Sequence, residues 1–220
     1  WLRPAMRSEI RDEFENSGDA DFAVALGNLA RFRVNLFRDN HGVGAVLRQI
    51  PSTILSVAQL GLPPAILELA SYPKGLVLVT GATGSEKSTT LAAMVDHINR
   101  NVKGHIITLE DPIEFVHESR ASLVNQREIG VHTQGFHRAL RAALRQDPDI
   151  VLVGELRDRE TIELVLEVAN TGHLVFGTLH TATAMGTIDR IVDIFPAGQQ
   201  AQIRTTLAEV LRGVVSQALC

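Results

Sequence analysis

Apolar and polar residues alternate along much of the first fifty residues of the chain. The alternation follows a short helical segment that ends near Gly18, and it has the two-residue period of a strand with one buried face. In the second strand it places Arg31 and Arg33 on the polar face, opposite Phe32 and Val34. We predict three antiparallel strands, at residues 21–26, 30–37 and 45–50.

The hydrophobic pattern changes after Gly75. Beyond this point, short and nearly continuous apolar runs alternate with helical segments. Strands that are apolar on both faces and separated by helices indicate a parallel sheet with helices on both faces. The runs that we predict as strands are 76–80, 105–109, 150–153 and 174–179. The predicted organisation is a partial α+β domain (1–50), a linker of short helices (51–74) and an α/β domain (75–220).

The first strand of the α/β domain leads into a sequence typical of phosphate-binding loops. Gly81 begins the turn and Lys87 and Ser88 begin a helix, as in the pattern G-x-x-x-x-G-K-[ST]. In such loops backbone N–H groups face the phosphates, the lysine reaches the β and γ phosphates, and the hydroxyl binds Mg²⁺. We therefore expect ATP and Mg²⁺ at the loop formed by Gly81, Ala82, Thr83, Gly84, Ser85, Glu86, Lys87, Ser88 and Thr89.

Glu86 departs from this pattern, because it stands where the second glycine belongs. Glycine lets the backbone pass close to the phosphates because it has no Cβ. A glutamate adds bulk and places a negative charge beside a polyanion. For the loop taken alone, an ordinary strand-to-helix turn is therefore an alternative interpretation.

Polar residues follow the other predicted strands at the edge where open α/β sheets bind ligands. Glu110, Asp111 and Glu114 follow the second strand, where a carboxylate could orient or deprotonate an attacking water. Glu155 ends the third strand and could hold Mg²⁺, and His180 ends the fourth and could sense a γ-phosphate. Each group alone also fits a structural role, but four such strand ends in one chain favour a nucleotide site.

Charge and composition narrow the possible partners. The 220 residues carry a net charge of -4 and include one Trp and one Tyr, which disfavours a nucleic-acid partner. No apolar run approaches the length of a membrane span, so we expect no direct membrane insertion. The single cysteine, Cys220, excludes an internal disulfide framework and fits a reducing cytosol.

Longer motifs carry a specific resemblance. The phosphate loop, LEDPIEFVH at 109–117, LVNQRE at 123–128, DPDIVLVGELRD at 147–158 and TGHLVFGTLHT at 171–181 resemble the secretion ATPase superfamily that drives type IV pili and type II secretion. Within it, the pilus retraction motors are the most similar. The resemblance extends from about Arg31 to the end of the chain. It implies a RecA-like P-loop ATPase domain, preceded by a partial PAS-like N-terminal domain.

The resemblance also implies roles for individual residues. Glu114 matches the catalytic base, Asp111 its supporting acid, and Glu155 the Mg-associated glutamate of the Walker B strand. His180 matches a histidine near the γ-phosphate. Ser88 and Glu155 would bind the metal. Arg33 and Arg48 match arginines that are supplied to the nucleotide across a subunit boundary.

At the level of the whole protein, the resemblance implies a hexameric ring whose domains rotate as ATP is hydrolysed. Such a motor retracts a type IV pilus during twitching motility. It acts through an integral platform protein, at the cytoplasmic face of the inner membrane. Because family members extend beyond both ends of this chain, we expect it to be a fragment. A nucleotide-impaired structural subunit, a pilus assembly ATPase and a type II secretion ATPase are the alternatives.

Overall fold

Two sheets, one antiparallel and one parallel, organise the chain. The computed structural model describes residues 4, 6–27, 30–51 and 53–218. It divides the chain into two compact units. The first comprises Trp1–Thr53 with Pro112–Phe115, and we call it the N-terminal unit. The second comprises Ile54–Asp111 with Val116–Cys220, and we call it the large unit.

The N-terminal unit contains a helix and an antiparallel sheet in the order β1-β2-β3. Helix α1 ends at Gly18, whose left-handed backbone lets its N–H bind the Phe14 carbonyl. Phe14, Val34 and Leu36 belong to the core, which agrees with the alternation in the sequence. The elements are α1 (Ser8–Ser17), β1 (Asp19–Leu26), β2 (Ala30–Asp39) and β3 (Gly42–Ile50).

The large unit contains a six-stranded parallel sheet in the order β6-β5-β7-β8-β4-β9. Its strands are β4 (Gly75–Gly81), β5 (His105–Glu110), β6 (Leu123–Glu128), β7 (Ile150–Val153), β8 (Leu174–Leu179) and β9 (Leu211–Gln217). Its helices are α2 (Ala65–Ala70), α3 (Lys87–Asn101), α4 (Phe136–Ala143), α5 (Arg159–Asn170), α6 (Ala184–Asp193) and α7 (Ala197–Val210), with a 3-10 turn at Leu144–Gln146.

Helices cover both faces of this parallel sheet, as the apolar strands predicted. Successive residues of β4 point to opposite faces, so Leu76 and Leu78 join one core whereas Val77 and Val79 join the other. The first core contains residues of α4, α5, α6 and α7, and the second contains residues of α2 and α3. The predicted α/β fold is therefore confirmed. The parallel arrangement brings the carboxyl ends of the strands to one edge of the sheet.

Candidate functional site

The phosphate loop begins at Gly81, where the backbone leaves β4 at a φ of 152°. A Cβ at this position would lie 2.4 Å from the Gln217 carbonyl oxygen and 2.4 Å from Ser85 Oγ. Real Cβ atoms do not approach other atoms this closely, so a side chain here would displace the loop or β9. Gly81 is thus required by the close approach of β9 to the start of the loop.

Lys87 is the first residue of α3, and its side chain is buried beneath the loop. Its Nζ donates hydrogen bonds to the Gly81 carbonyl oxygen at 2.8 Å and to the Ala82 carbonyl oxygen at 2.9 Å. The loop therefore curls around a cationic group. This places a positive charge beside the amino-terminal end of a helix, where the helix dipole also favours an anion.

Glu86 caps α3 in the left-handed region, with φ 61° and ψ 31°. Glycine adopts this conformation without strain, whereas for other residues it costs on the order of 1 kcal/mol or more. The exposed Glu86 carboxylate accepts a hydrogen bond from Thr89 Oγ1 at 2.5 Å. Glu86 therefore retains the backbone geometry of the missing glycine, but it places a carboxylate at the helix end that would face the phosphates.

His180 joins the phosphate loop to the end of β7. Its Nδ1 lies 3.4 Å from Lys87 Nζ, and its Nε2 lies 3.2 Å from Glu155 Oε1. The lysine ammonium can only donate and the carboxylate can only accept. These contacts therefore assign the proton of a neutral His180 ring to Nε2. Three residues predicted from three different strand ends thus form one connected chain.

Arg157 extends this set of contacts beyond Glu155, and its role was not predicted from the sequence. Its Nε lies 2.6 Å from Glu155 Oε1, although the Arg157 side chain is 68% exposed. Burial raises the pKa of Glu155, but the contacts with Arg157 and His180 outweigh burial and lower it overall. The hydrogen bond to Glu155 raises the pKa of Arg157, and the charge of Asp111 adds to this effect. The spacing between Glu155 and Arg157 does not mark an exposed arginine as functional. The sequence therefore indicated Arg157 only as part of the motif at 147–158.

Threonine hydroxyls fix the strand ends that carry these groups. Thr80 Oγ1 accepts a hydrogen bond from the Thr181 backbone N–H at 3.1 Å, which ties the end of β4 to the residue after His180. Thr178 Oγ1 donates to the Gly154 carbonyl, which ties β8 to the residue before Glu155. These part-buried hydrogen bonds tie together the strand ends that lead to Lys87, Glu155 and His180.

The chain was compared with models of known protein families. Residues 16–220 match the model of the type II/IV secretion system protein family. The chain belongs to this family. The resemblance inferred from the sequence motifs is thereby confirmed.

Relatives within the family include pilus proteins. The type IV pilus retraction ATPase PilT of Pseudomonas aeruginosa is 56% identical over 214 residues, which cover 97% of this chain and 62% of that protein. A twitching motility protein of Neisseria gonorrhoeae is 55% identical over 97% of this chain and 57% of its own length. The crystal structure of the pilus retraction motor PilT with bound ADP has a TM-score of 0.95 and 52% identity, covering 99% of this chain and 64% of that one. The chain thus spans about three fifths of the length of these family members.

The described loop residues fit the nucleotide and metal that such a family member would bind. Ser85 Oγ is buried and has no hydrogen-bond partner within the described part of the chain, so it can donate to a phosphate oxygen. Among the same residues no partner is found for the hydroxyl of Ser88. Magnesium prefers oxygen ligands, and the Ser88 hydroxyl and the Glu155 carboxylate supply this chemistry. Within the described ranges, no group of three or more His, Cys, Asp or Glu residues could hold a metal by itself.

Three residues that the sequence analysis placed in the site belong to the N-terminal unit. Arg33 lies directly opposite Arg48 in the β2–β3 register, and both side chains are exposed. Neither arginine forms a salt bridge with a described acid. Glu114 is half-buried in the segment Pro112–Phe115, where the Ile113 carbonyl accepts a hydrogen bond from Arg31 at 3.3 Å. Their catalytic roles remain predictions.

Glu110 is held within the large unit. Its Oε1 accepts hydrogen bonds from Thr108 Oγ1 at 2.6 Å and from Gln126 Nε2 at 3.0 Å. The first acid after β5 therefore has a structural contact with β6.

Among the described residues, no helix is both long enough and apolar enough to cross a membrane.

Proposed function

We propose that this chain is the ATPase-bearing part of a hexameric motor that couples Mg-ATP hydrolysis to type IV pilus retraction. The observation that carries the proposal is that His180 contacts both Lys87 of the phosphate loop and Glu155. The similarity to PilT of Pseudomonas aeruginosa supports the cellular role. The phosphate loop supports nucleotide binding.

Lys87, His180 and Glu155 each have a distinct task in the proposed reaction. Lys87 exchanges its two carbonyl contacts for the β and γ phosphate oxygens and stabilises the charge that develops there. His180, which lies between Lys87 and Glu155, senses the γ-phosphate by donating a hydrogen bond to one of its oxygens, which can only accept. Mg²⁺ held by Ser88 and Glu155 would supply further charge neutralisation.

The N-terminal unit supplies the remaining groups in this proposal. Glu114 acts as general base on the attacking water, with Asp111 of the large unit as its supporting acid. Arg33 and Arg48 bind nucleotide phosphates of a neighbouring subunit. Like charges directly opposite each other destabilise a sheet, so the Arg33–Arg48 pair is better explained by an anionic partner than by the fold.

Assembly and location follow from the same proposal. The chain forms a homo-hexamer and pulls on an integral platform protein, at the cytoplasmic face of the inner membrane. A pilus assembly ATPase or a type II secretion ATPase would share the hydrolytic site. Restoration of twitching in a strain that lacks its retraction motor would separate retraction from these two alternatives.

Steady-state ATP hydrolysis tests the enzymatic part. The chain should release phosphate from Mg-ATP, and Lys87→Ala should abolish this activity because it removes the cation within the loop. Glu155→Gln should reduce turnover strongly while retaining nucleotide binding. Equal phosphate release by the chain and by Lys87→Ala would contradict the proposal.

Glu86 favours a second candidate function, a nucleotide-impaired structural subunit that assembles with active motor subunits. Its carboxylate at the amino-terminal end of α3 repels the phosphates that the loop would bind. Comparison with Glu86→Gly distinguishes the two candidates. Comparable nucleotide binding by both proteins supports the motor, whereas binding by Glu86→Gly alone supports the impaired subunit.

A further inference from the structure

The connection between β5 and β6 has an unusual course. These strands are parallel neighbours, a relationship that normally requires a long crossover and most often a helix. Residues 111–122 connect them without a helix. The chain leaves the large unit after Asp111, contributes Pro112–Phe115 to the N-terminal unit and returns at Val116. Glu114 is carried on this excursion.

The second half of the connection is attached to Asn99 of α3. The Asn99 side chain donates to the Glu118 carbonyl at 2.7 Å and accepts from the Arg120 N–H at 3.0 Å. The Asn99 carbonyl also accepts from the Ala121 N–H at 2.8 Å. These bonds fix residues 118–121, but they do not reach the first half, which carries Glu114.

Gln126 of β6 contacts the two residues that flank the segment 111–116. Its Nε2 donates to Glu110 Oε1 at 3.0 Å, and its Oε1 accepts from the His117 backbone N–H at 2.7 Å. Thr108 Oγ1 donates to the same Glu110 oxygen at 2.6 Å. The amide orientation is unambiguous, because the carboxylate can only accept and the backbone N–H can only donate. We call this pair of contacts the Gln126 bridge.

We infer that Gln126 is a positioning residue for Glu114. The Gln126 bridge holds Glu110 and His117 at a fixed spacing, and these two residues flank the segment 111–116. Fixing both ends of a short segment removes much of its conformational freedom, so an acid within it samples fewer positions. The inference rests on the proposed function, in which Glu114 is the general base. It adds a residue in β6 that would act on catalysis only through the backbone that carries Glu114.

Exchanging the donor and the acceptor tests the inference. Gln126→Glu retains an acceptor for the His117 N–H but places a carboxylate against Glu110. Glu110→Gln retains a carbonyl that can accept from both Thr108 and Gln126, and it is the second single variant of the cycle. The double variant Glu110→Gln/Gln126→Glu restores the bond with the donor and acceptor exchanged. Gln200→Glu is the matched control, because it makes the same change at a side-chain amide that donates to the Phe195 carbonyl.

Two measurements should respond together. Hydrogen exchange of the backbone amides in 111–117 should accelerate roughly tenfold or more in Gln126→Glu and return towards the parent rate in the double variant. All variants are also made in the Glu86→Gly background for kinetics. There, Gln126→Glu should lower kcat roughly tenfold while the Kd for ADP stays within about twofold, because the phosphate loop is untouched. The double variant should recover most of the lost kcat.

The outcomes separate this inference from the function on which it rests. Unchanged exchange in Gln126→Glu, a defect that the double variant does not repair, or faster exchange with unchanged kcat would each overturn the inference. No ATP turnover in the Glu86→Gly parent, combined with the expected exchange pattern, would instead overturn the proposed function. The Gln126 bridge would then remain as a structural contact between the two residues that flank segment 111–116.

Discussion

At the scale of single residues, Glu86 has the largest expected effect on nucleotide binding. Its carboxylate competes with phosphate for the amino-terminal end of α3, whereas the cost of its left-handed backbone, on the order of 1 kcal/mol, is the same in the free and the bound protein. Glu86→Gly should therefore tighten ADP binding by roughly tenfold or more. Glu86→Gln removes the charge but retains a side chain where the loop would approach the phosphates, so it should give an intermediate affinity. Titration calorimetry measures all three affinities, and three equal values of Kd would rule out this role for Glu86.

Arg157 should contribute a small, pH-dependent part of the stability. Because the folded-state pKa of Glu155 lies below its ordinary value of 4.5, the contact stabilises the fold above that pH, and this contribution is lost as the pH falls through the folded-state pKa. Arg157→Gln should lower the free energy of unfolding at pH 7 by less than about 1 kcal/mol, because the arginine is exposed and screened.

Urea unfolding at pH 7 and at pH 3 checks the Arg157 prediction. The difference between the two proteins should shrink at the lower pH. Arg159→Gln is the control, because Arg159 and Glu163 form a longer pair of 4.0 Å with both side chains exposed. An Arg157 effect that is equal at both pH values would show that the contact with Glu155 is not its origin.

The sequence predicted some residues of the site better than others. Lys87, Glu155 and His180 were predictable because each follows an apolar strand whose carboxyl end must reach the same edge of the sheet. Arg157 and Gln126 were not, because their roles depend on partners that only the strand order brings together. Glu114 was identified from its motif, but the sequence did not indicate that its segment belongs to the N-terminal unit.

At the scale of elements, the connection after β5 should be sensitive to acid. Burial lowers the pKa of His117 to about 4, although the charge of Asp96 acts in the opposite direction. The unfolded chain therefore takes up a proton near pH 6.5 that the folded chain excludes. Stability is fully present above that value and falls as the pH drops towards 4. Between pH 7 and pH 5 the loss should be about 2 kcal/mol.

His117→Gln tests this prediction, because glutamine cannot be protonated and retains the backbone N–H that Gln126 binds. Its free energy of unfolding should fall less between pH 7 and pH 5 than that of the parent chain. His41→Gln is the matched control, because it makes the same change at an exposed histidine in the turn between β2 and β3. Parallel pH profiles for the parent and His117→Gln would contradict the assignment.

Central strands were easier to predict than edge strands. Strands β4, β5, β7 and β8 have neighbours on both sides and are nearly continuous apolar runs, so their sequences identified them. Strands β6 and β9, which form the two edges of the sheet, were not predicted from the sequence. Their residues are mostly half-buried or exposed, and the polar Asn125, Gln126 and Arg127 mask the strand pattern of β6.

At the scale of the whole molecule, the proposed roles of Arg33 and Arg48 predict that activity depends on assembly. Arg33 and Arg48 are exposed, lie opposite each other and have no acidic partner among the described residues. If they act on the nucleotide of a neighbouring subunit, an isolated subunit lacks part of the charge stabilisation that the reaction requires. The activity of each subunit should then rise as rings form. The family membership and the similarity to PilT explain the ATPase fold, whereas the ring itself is part of the proposal.

The most direct test is Mg-ATP turnover per subunit, measured against protein concentration with light scattering on the same samples. We expect the parent chain to hydrolyse ATP slowly and Glu86→Gly to hydrolyse it faster, with both rates rising as the scattering mass approaches that of a ring. Absence of turnover in both proteins, although rings form, would contradict the account.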